Sequence, residues 1–275
     1  MKFTKAHAYG NDFLYVRRDE LPRLSPEPAN PEPATSEPGT LGALARELCD
    51  RHTGVGADGL IIYDGTSMGL LNADGSPSEV SGNGVRGLAA ILLRDSNADE
   101  VTISTDAGAK HLVRTARSGS RQTFRAAMGQ PRDIRRLQIT AGGEAVSVVS
   151  LNMGNPQCLV LGAIPDDERF NRVGAALEHH AAFPDGTNVE FVRVDAPERI
   201  TIRIWERGVG PTLSSGTGSC GSLVAAASFG GASRDATVVA PGGSQHVEWR
   251  DDQVYLTGWA EILFDGVWLR SDSSR

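Results

Sequence analysis

Cysteine is scarce in this chain. Only three occur in 275 residues, Cys49, Cys158 and Cys220. Their odd number, with no Cys-x-x-Cys pair, excludes a disulfide framework and a cysteine-built metal site, and it fits a reducing compartment. Aromatic residues reach only 6%, and no apolar run approaches the length of a membrane span. The opening MKFTKAHAYGNDF lacks the long apolar core of a signal peptide, so a cytoplasmic chain with no membrane partner is expected. Basic residues are outnumbered 27 to 34, a net charge of −7, which argues against nucleic acid as a partner. The histidines show no ligand spacing, so no metal is assigned. No phosphate-loop sequence is present, the Gly-x-Gly elements lack the context of a dinucleotide site, and no cofactor is expected.

Glycine and serine are placed with a pattern. SGNGVRGLAAILL begins at Ser81, and SGTGSCGSLVAAA begins at Ser215. Each copy opens with Ser-Gly-x-Gly and runs into small apolar residues that read as a buried helix. Such a helix start directs backbone N–H groups and the positive end of the dipole at an anion, a carboxylate for example. Serine is also a good N-cap in its own right, so Ser81 alone could be only a cap. Its recurrence at Ser215 sets a functional reading beside that one.

The elements around these two stretches repeat as well. Residues 2 to 16 read as strand, turn and strand about Gly10-Asn11-Asp12. Leu21 to Gly39 carries Pro22, Pro26, Pro28, Pro31, Pro33 and Pro38, which excludes helix and central strand and predicts a surface loop. Helical spacing is expected over Thr40 to His52, then strands through GLIIYDG and up to LNADGS, then the first Ser-Gly-x-Gly helix. Val101 to Ser104 and Lys110 to Thr115 read as strands, with a turn over 118 to 122.

From Thr123 the pattern starts over. Strands are expected from Ile139 and through Ala145 to Leu151, with a turn at MGNPQC and a strand to Leu161. Asn171 to His180 reads as a helix, Ile200 to Trp205 as a strand, and Gly242-Gly243 as a hairpin turn. The repetition predicts an internal duplication in an α/β (α+β) protein of two similar lobes. The first would hold residues 1–122 plus about 263–275, the second 123–262, with a site in the cleft between them.

Polar residues gather at the strand ends. Asn11, Asn72, Asn155 and Asn188 all fall at strand–loop junctions. Each suits a plain turn, and together they suit recognition of the amino and carboxylate groups of an amino acid. Glu206-Arg207 ends a strand just before the second helix start. That dipeptide is ordinarily a surface ion pair, yet Arg is also the residue suited to bidentate grip of a carboxylate.

HAYGNDF, DRHTGVGADG, NADGS, SGNGVRG, NMGNP, ERGVG and SGTGSCG, in this order from end to end, resemble the diaminopimelate epimerase family. The resemblance implies two pseudo-symmetric lobes, each a mixed sheet wrapped about a central helix. It implies a pyridoxal-independent isomerase of amino-acid (lysine) biosynthesis that interconverts LL- and meso-diaminopimelate, acting as a homodimer without cofactor. Asn11, Asn72, Asn155, Asn188, Glu206 and Arg207 match positions that hold the substrate. Gly82-Asn83 and Gly216-Thr217 match the helix starts that cradle its α-carboxylate.

The family's two proton-transferring cysteines match Ser81 and Ser215, so both thiols are replaced. The family's usual histidine is Gln157, its glutamine after Asp58 is Gly59, and a further cysteine of many members is Gly87. A thiol ionises near ~8.5 and an alcohol is roughly seven units harder to ionise, on the order of 10 kcal/mol. Two other readings therefore stand beside an enzyme: a non-catalytic amino-acid-binding paralogue, and an isomerase or dehydratase of a smaller amino acid. Arg207 and Asn155 suit a substrate with a charged distal end and weigh against the last. Gly87 and Gln157 lie outside the pair and favour natural divergence over deliberate replacement of the thiols.

Overall fold

A computed structural model describes residues 1–21, 40–78, 80–251 and 253–269. It divides into two compact units, Met1–Phe124 with Trp259–Arg275, and Arg125–Gly258. Beyond Leu21, the expected proline-rich loop lies outside the described residues.

In the first unit, Lys2–Ala8 and Asn11–Arg17 form an antiparallel hairpin. Helix α1, Leu41–Cys49, carries the chain over to Gly59–Asp64, which pairs parallel with Asn11–Arg17. Ser67–Asn72 turns back antiparallel, and helix α2, Gly82–Leu92, follows. Glu100–Thr105 then lies parallel to Ser67–Asn72 and makes a hairpin with Gly108–Ser118. Phe13 to Val16 are all buried, as expected of a strand covered on both faces. Leu14 and Val16 pack with Leu44 and Leu48 of α1.

The second unit repeats this order. Glu144–Asn152 and Pro156–Leu161 are antiparallel, and helix α3, Asp167–Glu178, leads to Asn188–Ala196, parallel to Pro156–Leu161. Arg199–Glu206 turns back, helix α4, Gly216–Phe229, follows, and Asp235–Ala240 lies parallel to Arg199–Glu206 before the hairpin to Gly243–Trp249. Each sheet is therefore mixed, with the Ser-Gly-x-Gly helix entered at the same point of the repeat. Residues Gly218 to Ala226 of α4 are buried without a break, the pattern of a helix apolar all round and enclosed in a core. Phe191 packs with Phe170 and Leu177 of α3, while Val192 and Ile204 pack with Leu223 and Val224 of α4.

Each helix starts on a side-chain cap. Thr40, Ser81, Asp166 and Ser215 accept from Ala43, Gly84, Arg169 and Gly218 N–H respectively. The caps also explain where sequence expectations shift. Helix α3 starts at Asp167 rather than Asn171, because Asp166 caps it and Asp167 and Glu168 complement the dipole. Helix α1 stops at Cys49, where the Asp50 carboxylate takes the N–H groups of His52 and Thr53. The strand expected from Ile139 begins at Arg132, its outer half held by pairing with Glu144–Asn152. The last hairpin turns on Pro241-Gly242, since Ala240 already pairs with Gly243.

Glycine in α2 reflects close approach. A Cβ at Gly87 would collide with the Tyr15 hydroxyl and lie 2.7 Å from its ring Cζ. The buried Tyr15 hydroxyl donates to Gly84 O at 3.0 Å and holds the ring there. An alanine gains about 1 kcal/mol of helix propensity over glycine, whereas overpacking costs typically 1–3 kcal/mol. Gly87→Ala should therefore lower the melting temperature in a calorimetric scan; an increase would mean that Tyr15 yields freely.

Candidate active site

Each unit carries some of the site residues expected from sequence. In the first, Tyr9 and Gly10 form the hairpin tip, both with positive φ, 56° and 87°. That suits a two-residue turn, but it is strained for tyrosine. Packing holds it: the Tyr9 ring lies 4.5 Å from Trp259, its hydroxyl accepts from Trp259 N at 3.1 Å, and the Arg86 guanidinium stands over its face. The constrained tip fixes Asn11, the first residue of the second strand.

A directed chain of hydrogen bonds runs from there. Arg86 donates to Asn83 Oδ1, Asn83 Nδ2 to Asn11 Oδ1 at 3.1 Å, and Asn11 Nδ2 to Asp58 Oδ2 at 2.8 Å. A guanidinium at one end and a carboxylate at the other leave both amides one orientation. Asp58 is itself held by Arg51 at 2.7 Å, and Arg51 also reaches Asp12 at 2.7 Å. Lys5 Nζ lies 2.9 Å from Asp12. The Ser81 hydroxyl accepts from Gly84 N at 3.2 Å, and Val85 N bonds Ser81 O. Asn72 lies apart from the chain; its amide donates to Ser76 Oγ at 3.0 Å inside the turn shaped by Asp74.

The second half is built from different groups. Gly216 and Thr217 present their N–H groups ahead of the first intrahelical bond of α4. The buried Ser215 hydroxyl accepts from Gly218 N at 3.1 Å. Asn155 Nδ2 donates to Thr217 Oγ1 at 3.3 Å, and Gln157 Nε2 to Asn155 Oδ1 at 2.7 Å. Asn188 ties two strand ends to the turn, donating to Pro156 O and accepting from Arg207 N at 3.0 Å. Arg207 is exposed and donates to Asp185 O, and Glu206 accepts from Thr212 Oγ1 at 2.6 Å. Asn155, Thr217 and Gln157 therefore touch, while Asn188, Glu206 and Arg207 occupy the adjoining strand end and turn.

Several supporting residues escaped sequence reasoning. Glu178 on α3 accepts from Trp205 Nε1 at 2.6 Å and Gly208 N at 2.7 Å and so pins the turn carrying Arg207. Burial raises its carboxyl, but those bonds outweigh burial and leave it below the usual range. Glu190, fully buried, is pushed well above that range by burial and then by Glu206. A carboxylate next to Leu177 at the inward end of the amphipathic helix α3 was the available signal for Glu178, and one inside the run NVEFV was the signal for Glu190. Arg51 carried none, since its partners come from other elements, and Arg86, bonded to Asn83 within α2, reads from sequence only as one more helix residue.

The chain's own cysteines lie away from Ser81 and Ser215 in the sequence and are buried. Burial, then Asp12 and Asp58, pushes the Cys49 thiol up to about 12. Burial, then Glu190, raises Cys158 too, and Cys220 is enclosed within α4. All are thiols at neutral pH where a shift is known, and none sits at a helix start.

Asp12 makes the first network testable. Burial raises its carboxyl, yet the hydrogen bonds and charges of Arg51 and Lys5 outweigh burial and hold it below the ordinary value. A depressed folded-state pKa contributes stability above the unfolded value of about 3.9, lost as pH falls through the folded value. Acid unfolding followed by circular dichroism should therefore show a component below about pH 3.9 that Asp12→Asn removes; an unchanged acid profile would contradict the pairing.

A diaminopimelate epimerase family model matches residues 149–263. Diaminopimelate epimerase from Desulforudis audaxviator is 40% identical over 298 residues, covering 98% of this chain and all of that one. The enzyme of that name from Heliobacterium modesticaldum is 36% identical, with 97% and 99% covered. Among solved structures, a probable proline racemase from Agrobacterium radiobacter superposes with a TM-score of 0.73 at 15% identity, covering 99% and 94% of the two chains. A hydroxyproline epimerase from Agrobacterium vitis gives 0.67 at 14%, covering 97% and 91%. At those identities the two structures establish the fold alone. The near full-length match to curated relatives goes further, and this chain belongs to the diaminopimelate epimerase family.

Proposed function

We propose that this chain is a pyridoxal-independent isomerase that binds diaminopimelate and exchanges its α-proton through a two-base site whose thiols have become hydroxyls. The observation that carries the reading is the pair of capped Ser-Gly-x-Gly helix starts, one in each unit, each beside oriented amides. Gly82-Asn83 and Gly216-Thr217 take the α-carboxylate at the helix N-termini. Asn11, Asn72, Asn155, Asn188, Glu206 and Arg207 hold the remaining amino and carboxylate groups.

Ser81 and Ser215 stand at the proton-transfer positions, each already accepting a backbone N–H. That bond stabilises an oxyanion, but by far less than the roughly 10 kcal/mol separating alcohol from thiol ionisation. Substrate binding is therefore retained and proton transfer is slow. The exposed apolar residues Leu263, Phe264, Val267 and Leu269 support a homodimer. Binding without catalysis, the paralogue reading, is favoured by the same hydroxyl pair.

Proton NMR of LL- and meso-diaminopimelate in deuterated water distinguishes them. Slow α-proton loss that Ser81→Cys with Ser215→Cys accelerates by several orders of magnitude is the expected result. Tight binding with no exchange in either protein would leave only the binding-protein reading.

A further inference from the structure

The second helix start contains a buried acid that the proposed reaction does not use. Glu190 has no exposed surface, and among the described residues no basic side chain pairs with it. It packs against Gly218, where a Cβ would lie 3.0 Å from its carboxyl carbon. In the repeat, the first unit puts Ile61 in this place: a Cβ on Gly84 would meet Ile61 Cδ1 at 2.7 Å. One niche thus holds a fully buried isoleucine in one unit and a carboxyl in the other. The titratable groups whose charge reaches Glu190 are the Cys158 thiol, on the α3 face of Pro156–Leu161, and the Glu206 carboxylate on Arg199–Glu206, with Cys220 the one titratable side chain of α4. None of them supplies positive charge.

The Gln157 amide lies between this acid and Thr217. One of its terminal atoms is 3.1 Å from both Glu190 oxygens; the other is 2.7 Å from Asn155 Oδ1 and 3.2 Å from Thr217 Oγ1. The two ends of the amide are alike in size and differ in hydrogen-bonding role, so its neighbours decide its orientation. With nitrogen toward Glu190, the Gln157 oxygen would sit 2.7 Å from Asn155 Oδ1, two acceptors in contact. An anionic Glu190 in that arrangement would be a fully buried charge with no cation beside it among the described residues, which is unfavourable. With nitrogen toward Asn155, its N–H donates to Asn155 Oδ1, and the Gln157 oxygen faces two carboxyl oxygens. Three oxygens at that spacing are compatible only when the carboxyl carries a proton and donates it.

We infer that Glu190 is a neutral carboxylic acid that acts as a positioning residue. Its O–H donates to Gln157, Gln157 and Asn155 donate onward, and the Thr217 hydroxyl proton is thereby left to face an anionic ligand. Were Glu190 ionised, the reversed Gln157 would present its oxygen to Thr217 and take that hydroxyl proton inward. The helix start would then lose one donor to a carboxylate. This assignment rests on the proposed reading of Gly216-Thr217 as a carboxylate cradle.

The test uses the full chain. An infrared difference spectrum of wild type minus Glu190→Gln, without ligand at neutral pH, should contain the carbonyl band of a protonated carboxyl. Its absence would overturn the inference. Calorimetric titration with meso-diaminopimelate should give nearly wild-type affinity for Glu190→Gln, whose amide N–H can donate to Gln157 as the acid does. Glu190→Leu should bind roughly tenfold more weakly, the loss of about one hydrogen bond to a charged group. Gln157→Met, which breaks the relay while leaving Glu190 in place, should weaken binding similarly and shift the carboxyl band, should the leucine variant fail to fold. Equal affinity in all four proteins would refute the positioning role. If wild type itself does not bind diaminopimelate, the substrate reading fails; the infrared band and the amide proton shifts of Gln157 in Glu190→Gln then decide the relay by themselves.

Discussion

Everything in each unit depends on admitting an apolar helix to the middle of a core and still satisfying its first turn. An α-helix leaves its leading N–H groups without intrahelical partners, and a buried start cannot leave them to water. Ser81 and Ser215 resolve part of this, each taking the N–H of the second glycine of its motif. The glycines do the rest by steric necessity. Gly84 and Gly218 touch Ile61 and Glu190 of a neighbouring strand, and Gly87 touches Tyr15, so no side chain fits. A helix start made this way is bare, rigid and electropositive, which is what anion recognition needs.

The side chains around the two starts are oriented by different physics. In the first unit, formal charges at both ends fix the amides: Arg86 on one side, Asp58 with Arg51 on the other. Asn83 and Asn11 have no freedom to turn over. In the second unit a buried acid without a counter-charge stands at the head of the chain through Gln157 and Asn155. The repeat in sequence and topology is thus not a repeat in electrostatics. Ile61 and Phe13 occupy the strand positions that Glu190 and Gln157 occupy in the second unit, as the parallel pairings Phe13 with Gly59 and Gln157 with Asn188 show.

In the proposed reading, the serine hydroxyls define how much of the family's chemistry this chain can keep. Recognition would rely on backbone N–H groups, amides and one arginine, none of which depends on a thiol. Proton abstraction relies on an ionisable group, and an alcohol is separated from a thiol by more free energy than one capping N–H returns. The remaining cysteines are buried, and those with shifted thiols are shifted the wrong way for a thiolate.

Much of this was legible in the chain itself. The Ser-Gly-x-Gly pair, the caps, the repeat, the asparagines at strand ends and the order of motifs are local features, and local features follow from short-range sterics and hydrogen bonding. Helix α3 was misplaced at its start because Asp166 caps it from within a polar run, where apolar periodicity is silent. The partners of Asp58, Glu178 and Glu190 could not be read from sequence, since each comes from another element, and Arg86 stands over Tyr9 of another element while bonding Asn83 in its own helix. Whether Glu190 carries a proton depends on its solvent, its neighbours and the direction of one amide. Sequence determined that two helix starts could hold an anion; only tertiary packing decided which buried charges orient the groups around them, because burial and partner distance set the energy of a charge and neither is a property of a residue's place in the chain.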